Sequence, residues 1–299
     1  MGLINGSIPN MYDGVSQQPP ASRNPAQCEA QDNCYPTIAT GLKKRPAFNH
    51  IAKIRNTTAT DAYVHLINRD EDERYIVVIL DGDLEVYDMA GVAQTVAFPD
   101  GKTYLANATP RTGFDVVTIA DYSFIANKAI IPLMDTTTSG VAATGSKQKF
   151  SDLPASSTVG NVYKVEGDDL QRFDDYYVKW DATLVWVETT APAQETIIDP
   201  LTMPYTLTRV SAGNFTFAKQ VWADRLVGST LSNDNPSFIG QAIKGIFFHR
   251  DRLGFHAGES VIMSRAGSYF NFWSKTTTAV LDDDPVDVQV SHTKVSTLR

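Results

Sequence analysis

The chain has 299 residues, of which 42% are hydrophobic, 20% charged and 10% aromatic, a composition that excludes a disordered chain and provides for one large or two ordinary domains. The formal net charge of −8 argues against a protein that binds nucleic acid by neutralising phosphates. No segment approaches the ~20 apolar residues of a membrane helix, and the N-terminus lacks the regions of a secretory signal.

Residues 1–50 are predicted to form an irregular arm. Five prolines interrupt a polar segment without apolar periodicity: Pro19, Pro20, Pro25, Pro36 and Pro46. Because proline lacks a backbone N–H, these positions exclude a continuous helix and a central strand. Such a segment either becomes ordered against a partner or is a loose extension, and composition does not separate the two. Two cysteines, Cys28 and Cys34, are too few for a disulfide framework and are interpreted as free thiols.

Residues 51–134 are predicted to be a β-rich block. The apolar run Tyr75–Leu80 is followed by an Asp-Gly turn and by the alternating run Leu84–Asp88, which together are typical of a hairpin. A second strand pair is predicted for Val116–Ala120 and Tyr122–Ala126.

Residues 135–161 are rich in Thr, Ser, Gly and Ala, and are predicted to be an exposed, linker-like segment. Residues 162–204 are predicted to be a hairpin region. There, Tyr176–Trp180 pairs with Leu184–Glu188 across a three-residue turn.

Residues 205–299 are predicted to form a partial propeller-like β meander. Short strands are predicted at Ile246–His249, Arg252–His256, Val261–Arg265 and Tyr269–Trp273. Arg250 and Asp251 form the first turn, and Ser237–Ile243 is predicted to be a helical turn. Because one blade alone has open edges, we expect either a truncated product or dependence on assembly. The predicted fold class is mostly β: antiparallel β domains with a partial β-propeller-like part and an irregular Pro-rich N-terminal arm.

No catalytic, cofactor-binding or metal site is predicted. The nucleophile-elbow, P-loop and zinc-protease motifs are absent. His249 and His256, seven positions apart in a hairpin, are interpreted as structural. A glycosidase needs two carboxylates facing each other ~5–9.5 Å apart. Adjacent carboxylates on turns seldom supply that geometry, and the acidic groups of the chain are of this adjacent kind: the run 69–74, and Asp168, Asp169, Asp174 and Asp175.

Three further groups have two possible functions each. Asp282, Asp283 and Asp284 lack the spacing of a calcium-binding loop, and the following proline favours a docking turn. Lys43, Lys44 and Arg45 would contact either DNA phosphates or an acidic surface of a neighbouring subunit, and their place in the arm favours the second. The aromatic residues at 269–273 would stack on single strands or pack inside the protein, and the acidic charge favours packing.

Short sequence matches occur in a fixed order along the chain. They are Gly14, Ser16, Gln17, Gln18 and Pro19; Gly41, Leu42, Lys44, Arg45 and Pro46; and the segments 65–70, 120–125, 252–255, 269–272 and 282–287. In these the chain resembles the N-terminal portion of the tail tubular protein B family, the nozzle proteins of short-tailed, podovirus-type bacteriophages. Family members continue well beyond residue 299, and longer relatives carry extra sequence near 135–161.

The resemblance implies a structural virion protein of the tail, made in the host cytoplasm. It implies a homohexameric nozzle that is attached to an adaptor ring of tail tubular protein A, bears tail fibres, and conducts genomic DNA through its lumen during ejection. No cofactor is implied. We expect interfaces at Gln17, Gln18, Pro19, Lys43, Lys44, Arg45, Asp282, Asp283 and Asp284. The alternatives are a virion-displayed β-propeller glycan hydrolase and a glycan-binding adhesion module.

Overall fold

The computed structural model describes residues 10–56, 60–139, 141–167 and 175–289. The chain divides into two compact units: Met1–Ala52, here called the arm unit, and Lys53–Arg299, here called the β body. The described strands are β1 Cys34–Thr37, β2 Gly41–Lys44, β3 Tyr63–Asn68, β4 Arg74–Leu80, β5 Asp83–Asp88, β6 Thr95–Ala97, β7 Phe114–Ile119, β8 Tyr122–Asn127, β9 Thr138–Ser139, β10 Gly145–Lys147, β11 Val162–Val165, β12 Tyr176–Trp180, β13 Trp186–Thr189, β14 Gln194–Glu195, β15 Tyr205–Ser211, β16 Asn214–Ala218, β17 Ile243–His249, β18 Arg252–Ala257, β19 Ser260–Met263 and β20 Val286–Gln289. The helices are a one-turn α1, Pro110–Gly113, and 3-10 turns at Thr103–Leu105 and Phe150–Asp152.

The prediction of a mostly β fold is confirmed, and a five-stranded sheet lies at the centre of the β body. Its strand order is β6-β16-β15-β8-β7, with β6 parallel to β16 and the other pairs antiparallel. On one face it packs against the three-stranded sheet β3-β4-β5, and the shared core includes Val77, Phe114, Ile125 and Phe217. Alternate residues of these strands point into this core, which is why Ile125 and Phe124, neighbours on β8, lie on opposite faces.

The other face of the central sheet contributes to a second core. Phe124 and Ala126 of β8 pack there with residues of the sheet β17-β18-β19-β20, such as Leu253 and Phe255. This sheet is a four-stranded antiparallel meander. It has the strand order of a propeller blade, while the propeller itself stays a prediction.

Four predicted hairpins are confirmed. They are β4–β5, β7–β8, β12–β13 and β17–β18. The third begins its second strand at Trp186 rather than at residue 184. In the fourth, Arg250 and Asp251 have φ of +47° and +59°, the left-handed geometry of a two-residue hairpin turn that matches the twist of the strands.

The prediction that Tyr269–Trp273 continues the meander as a strand is wrong. The fourth strand is β20, whose Val286–Gln289 pairs with Ser260–Met263. The aromatic segment turns inward instead, because Phe272 and Trp273 are buried in the second core. Ser237–Ile243 contains hydrogen-bonded turns, with Ile239 N–H donating to the Pro236 carbonyl, and residue 243 already belongs to β17.

Two segments expected to be irregular contain short strands. In the arm unit, β1 and β2 form an antiparallel hairpin from Cys34↔Lys44 to Thr37↔Gly41. In the segment 135–161, β9 pairs with β14, and β10 runs parallel to β11 as the edge of the sheet β10-β11-β12-β13. These pairings join residues with no local hairpin signal, which is why the sequence pattern missed them. No helix among the described residues is long and apolar enough to cross a membrane.

Replacement of Arg250 by glycine is expected to stabilise the protein. Glycine adopts a positive φ without the steric cost that Arg250 bears, and Arg250 is exposed. We expect the free energy of unfolding in urea to rise by roughly 0.5–1 kcal/mol. The control is Asp251→Gly, which relieves the same geometry but loses the 2.6 Å hydrogen bond from the Tyr269 hydroxyl and should gain less. Equal gains for both variants would contradict this account of the turn.

Candidate assembly surfaces

The predicted interface residues of the arm unit lie on a loop that is closed at its base. Ser16 N–H donates to the Cys28 carbonyl at 3.0 Å, and Cys28 N–H donates to the Gly14 carbonyl at 2.9 Å. Between these ties, Gln17, Gln18 and Pro19 are exposed. The loop is therefore held in shape at its base while these three side chains remain free to contact another surface. Cys28 and Cys34 are free thiols.

The basic triplet lies on the second strand of the arm hairpin. Lys43 and Lys44 belong to β2, and Arg45 follows with its N–H donating to the Asn33 carbonyl at 2.9 Å. All three side chains are exposed, and the Arg45 guanidinium lies 4.1 Å from the centre of the Phe48 ring. Alternation of strand side chains places Lys43 and Lys44 on opposite faces of the hairpin.

The arm unit exposes apolar side chains instead of enclosing them. In its described part the buried hydrophobic residue is Ala26, while seven large apolar residues are exposed: Tyr12, Val15, Tyr35, Ile38, Leu42, Phe48 and Ile51. Scattered single apolar residues are normal on a surface, but a unit with almost no buried apolar area has little to offset its ordering entropy. This pattern is typical of a segment stabilised by contact with another surface.

The acidic turn at Asp282, Asp283 and Asp284 is braced from within the β body. Asp284 is buried, and its carboxylate accepts hydrogen bonds from the N–H groups of Leu281 (2.9 Å) and Lys275 (3.3 Å). Asp283 forms an ion pair with Arg265, and this hydrogen bond lowers the pKa of the Asp283 carboxyl below its usual value. The exposed member of the group is Asp282.

Arg252 on β18 fixes the backbone of the same turn. Its guanidinium donates to the carbonyls of Asp282 (2.9 Å), Asp284 (2.5 Å) and Ser264 (2.8 Å), with a longer contact to Asp283 (3.5 Å). Sequence reasoning missed Arg252, because a side chain that binds carbonyls 30 residues away leaves no local pattern. The turn is thus braced by hydrogen bonds, with Asp282 exposed and the carboxylates of Asp283 and Asp284 paired within the β body, and an interface at these three residues stays a prediction.

The two histidines of the β17–β18 hairpin and Asp175 are described by the structure. His249 lies opposite Arg252 and His256 opposite Gly245, so the two histidines do not meet across the hairpin. Asp175 forms an ion pair with Lys164 at 2.7 Å; Asp168, Asp169 and Asp174 lie outside the described residues.

The charge run 69–74 is a hairpin turn, as predicted. Its Glu73 is held by Arg209 at 2.5 Å and Arg69 at 2.9 Å. Within the part of the chain that is described, no group of three or more His, Cys, Asp or Glu side chains could hold a metal ion.

A mostly β chain with exposed apolar and charged side chains and an arm that buries little apolar surface has the features of a structural assembly protein. The comparison with known proteins agrees. Residues 1–147 and 138–299 match the family described as bacteriophage nozzle protein, and the chain belongs to that family. The family is one of structural proteins of the phage tail, not of enzymes, and its members are components of the virion.

The chain is also similar to a curated protein, the tail tubular protein gp12 of Escherichia phage T7. The two are 30% identical over 404 aligned residues, which cover 100% of this chain and 51% of the relative. The chain therefore spans about half the length of that relative. The alignment is longer than the chain, and the two family matches meet at residues 138–147, which agrees with extra sequence in the relatives near the segment 135–161.

Substitution of Arg252 by methionine is expected to destabilise the β body. It removes the hydrogen bonds to the acidic turn and leaves partly buried carbonyls without a donor, at a cost of about 2 kcal/mol in the free energy of unfolding. Urea denaturation provides the measurement. Arg111→Met, at an exposed site, is the matched control and should change the value by less than about 0.5 kcal/mol. Similar losses for both variants would refute the bracing role.

Removal of the Asp283 charge is expected to make stability less dependent on pH. Because the folded-state pKa of Asp283 lies below its unfolded value, the ion pair stabilises the fold above the unfolded pKa, and this contribution is lost as pH falls through the folded-state pKa. Asp283→Asn should therefore be less stable than the unaltered chain at neutral pH, and the difference should shrink in acid. Urea midpoints across that range measure it, and a difference that does not change with pH would contradict the assignment.

Proposed function

We propose that this chain is a subunit of a ring-shaped phage tail nozzle, through which the genome passes during ejection. The observation that carries the proposal is the arm unit of a chain in the nozzle family: it exposes seven large apolar side chains and a basic triplet. Contacts with copies of itself and with neighbouring tail proteins would bury these groups. Repetition of one heterologous contact around an axis produces a closed ring.

The expected neighbours are those of a nozzle. The ring, a homohexamer, would attach to an adaptor ring of tail tubular protein A and carry tail fibres at its side. The closed loop with Gln17, Gln18 and Pro19, the triplet Lys43, Lys44 and Arg45, and the exposed Asp282 are the proposed docking groups. An acidic chain with net charge −8 suits a lumen that repels phosphates rather than holding them.

Deletion of residues 1–48 tests this function. We expect the remaining β body to stay folded, because both of its cores are built from residues beyond position 60, but to form no rings. Negative-stain electron microscopy and sedimentation velocity would compare it with the full chain, and circular dichroism would check that it is folded. Rings formed at unchanged yield by the deleted protein would refute the role of the arm, and a full chain that forms no rings would refute the proposal itself.

A further inference from the structure

The outer face of the sheet β3-β4-β5 is apolar although it lies away from the core. On β3, Val64 and Leu66 alternate with the inward residues. In the strand register, Val64 lies beside Val78 of β4, and Leu66 lies beside Ile76 of β4. Ile76 in turn lies beside Tyr87 of β5. The β4 sequence RYIVVIL is apolar on both faces, which is typical of a strand that is covered on both sides.

The β5 side of this outer face is contacted by the polypeptide that leads into the sheet. The Tyr87 hydroxyl donates to the Ile54 carbonyl at 3.4 Å, and Arg55 forms an ion pair with Glu85. Tyr87 and Val78 are accordingly buried. At the β3 edge Val64 is 62% exposed and Leu66 is 53% exposed, so the cover is incomplete.

The rim of the same face is strongly acidic. Residues 63–88 contain eight acidic and two basic side chains. Glu71 and Asp72 are exposed on the turn between β3 and β4, at the end of β3 that follows Leu66. The exposed Arg74 of β4 lies on the same face, so the charge beside the uncovered apolar patch is mixed, with an acidic excess.

The segment 41–52 of the arm unit has the opposite character. It contains Lys43, Lys44 and Arg45 and no acidic residue. Its apolar residues Phe48 and Ile51 are 80% and 69% exposed. The apolar groups of this segment match the apolar groups of the outer face, and its positive charges are opposite in sign to the acidic groups there.

We propose that residues 41–52 of one copy dock on the outer face of the sheet β3-β4-β5 of a second copy. Phe48 and Ile51 cover Val64 and Leu66, and the basic triplet faces the turn with Glu71 and Asp72. Each copy carries both halves of this contact, so the contact is heterologous and propagates around a ring. This inference rests on the proposed function, because it names the surface that receives the arm.

Paired substitutions on the two sides test the contact. The arm variant is Phe48→Ser with Ile51→Ser, and the face variant is Val64→Thr with Leu66→Thr, which keeps β propensity at exposed positions. Each is expected to weaken self-association of the full chain by at least about tenfold in sedimentation equilibrium. The matched control is Val210→Thr on β15, where the side chain is 67% exposed, and it should associate like the unaltered chain.

Mixing the two variants shows whether the segment 41–52 docks on a second copy or on its own chain. An arm variant and a face variant together retain one intact contact, so they should form heterodimers but nothing larger, although neither associates alone. Failure to form heterodimers, while the unaltered chain associates, would overturn the inference; docking of the segment on its own chain predicts that failure. An unaltered chain that does not associate would overturn it as well.

Charge reversal provides a second test that does not touch the apolar groups. Glu71→Lys with Asp72→Lys should weaken association, and addition of Lys43→Glu with Lys44→Glu in the same chain should restore it.

The deletion of residues 1–48 separates this inference from the proposed function. If the deletion abolishes rings but the face variant and the reversed-charge face assemble normally, the arm docks elsewhere: this inference fails and the proposed function stands. If the deletion leaves rings intact, the role of the arm and this inference fail together, whereas the proposed function fails only if the full chain forms no rings.

Discussion

The β body depends on the burial of strand β8 from both sides. Phe124 and Ala126 pack into one core and Ile125 into the other, so three consecutive residues tie two sheets to the central one. A strand buried on both faces cannot shift its register by one residue without exchanging the two cores. The positions of the outer sheets β3-β4-β5 and β17-β18-β19-β20 therefore follow from this strand.

Over residues 10–52, the arm unit, unlike the β body, is not held together by a buried apolar core. Its prolines and polar residues prevent a continuous helix or a large sheet, and its short hairpin and closed loop bury little apolar surface. Order in such a segment must come largely from contacts outside it. On the proposed function, such an arm would become ordered when one subunit contacts another, in agreement with the structural role of the family.

Sequence patterns predicted local pairings well and distant ones poorly. The Asp81-Gly82 turn between two apolar runs identified the β4–β5 hairpin, since the signal lies within a few residues. The parallel pairing of β6 with β16 joins segments more than 100 residues apart and leaves no local trace. Phe272 and Trp273 have the composition of a strand, yet burial of their rings in the second core bends the chain inward. Among the interface candidates, the sequence did not distinguish Asp282, Asp283 and Asp284; in the structure Asp283 pairs with Arg265, and Asp284 accepts a hydrogen bond from the Leu281 N–H within the turn.

If the chain forms the proposed conduit, its distribution of charge bears on both the arm contact and the passage of DNA. The acidic residues are concentrated at the rim of the sheet β3-β4-β5, where residues 63–88 contain eight of them, and the arm segment 41–52 contains three basic residues and no acidic one. On the proposed arrangement, the arm of one subunit neutralises part of that rim on the next. The carboxylates left unpaired then remain to repel the phosphates of passing DNA. Salt screening weakens both effects, but the apolar contact of Phe48 and Ile51 is not weakened by salt, so it would hold the ring together where the charges alone would not.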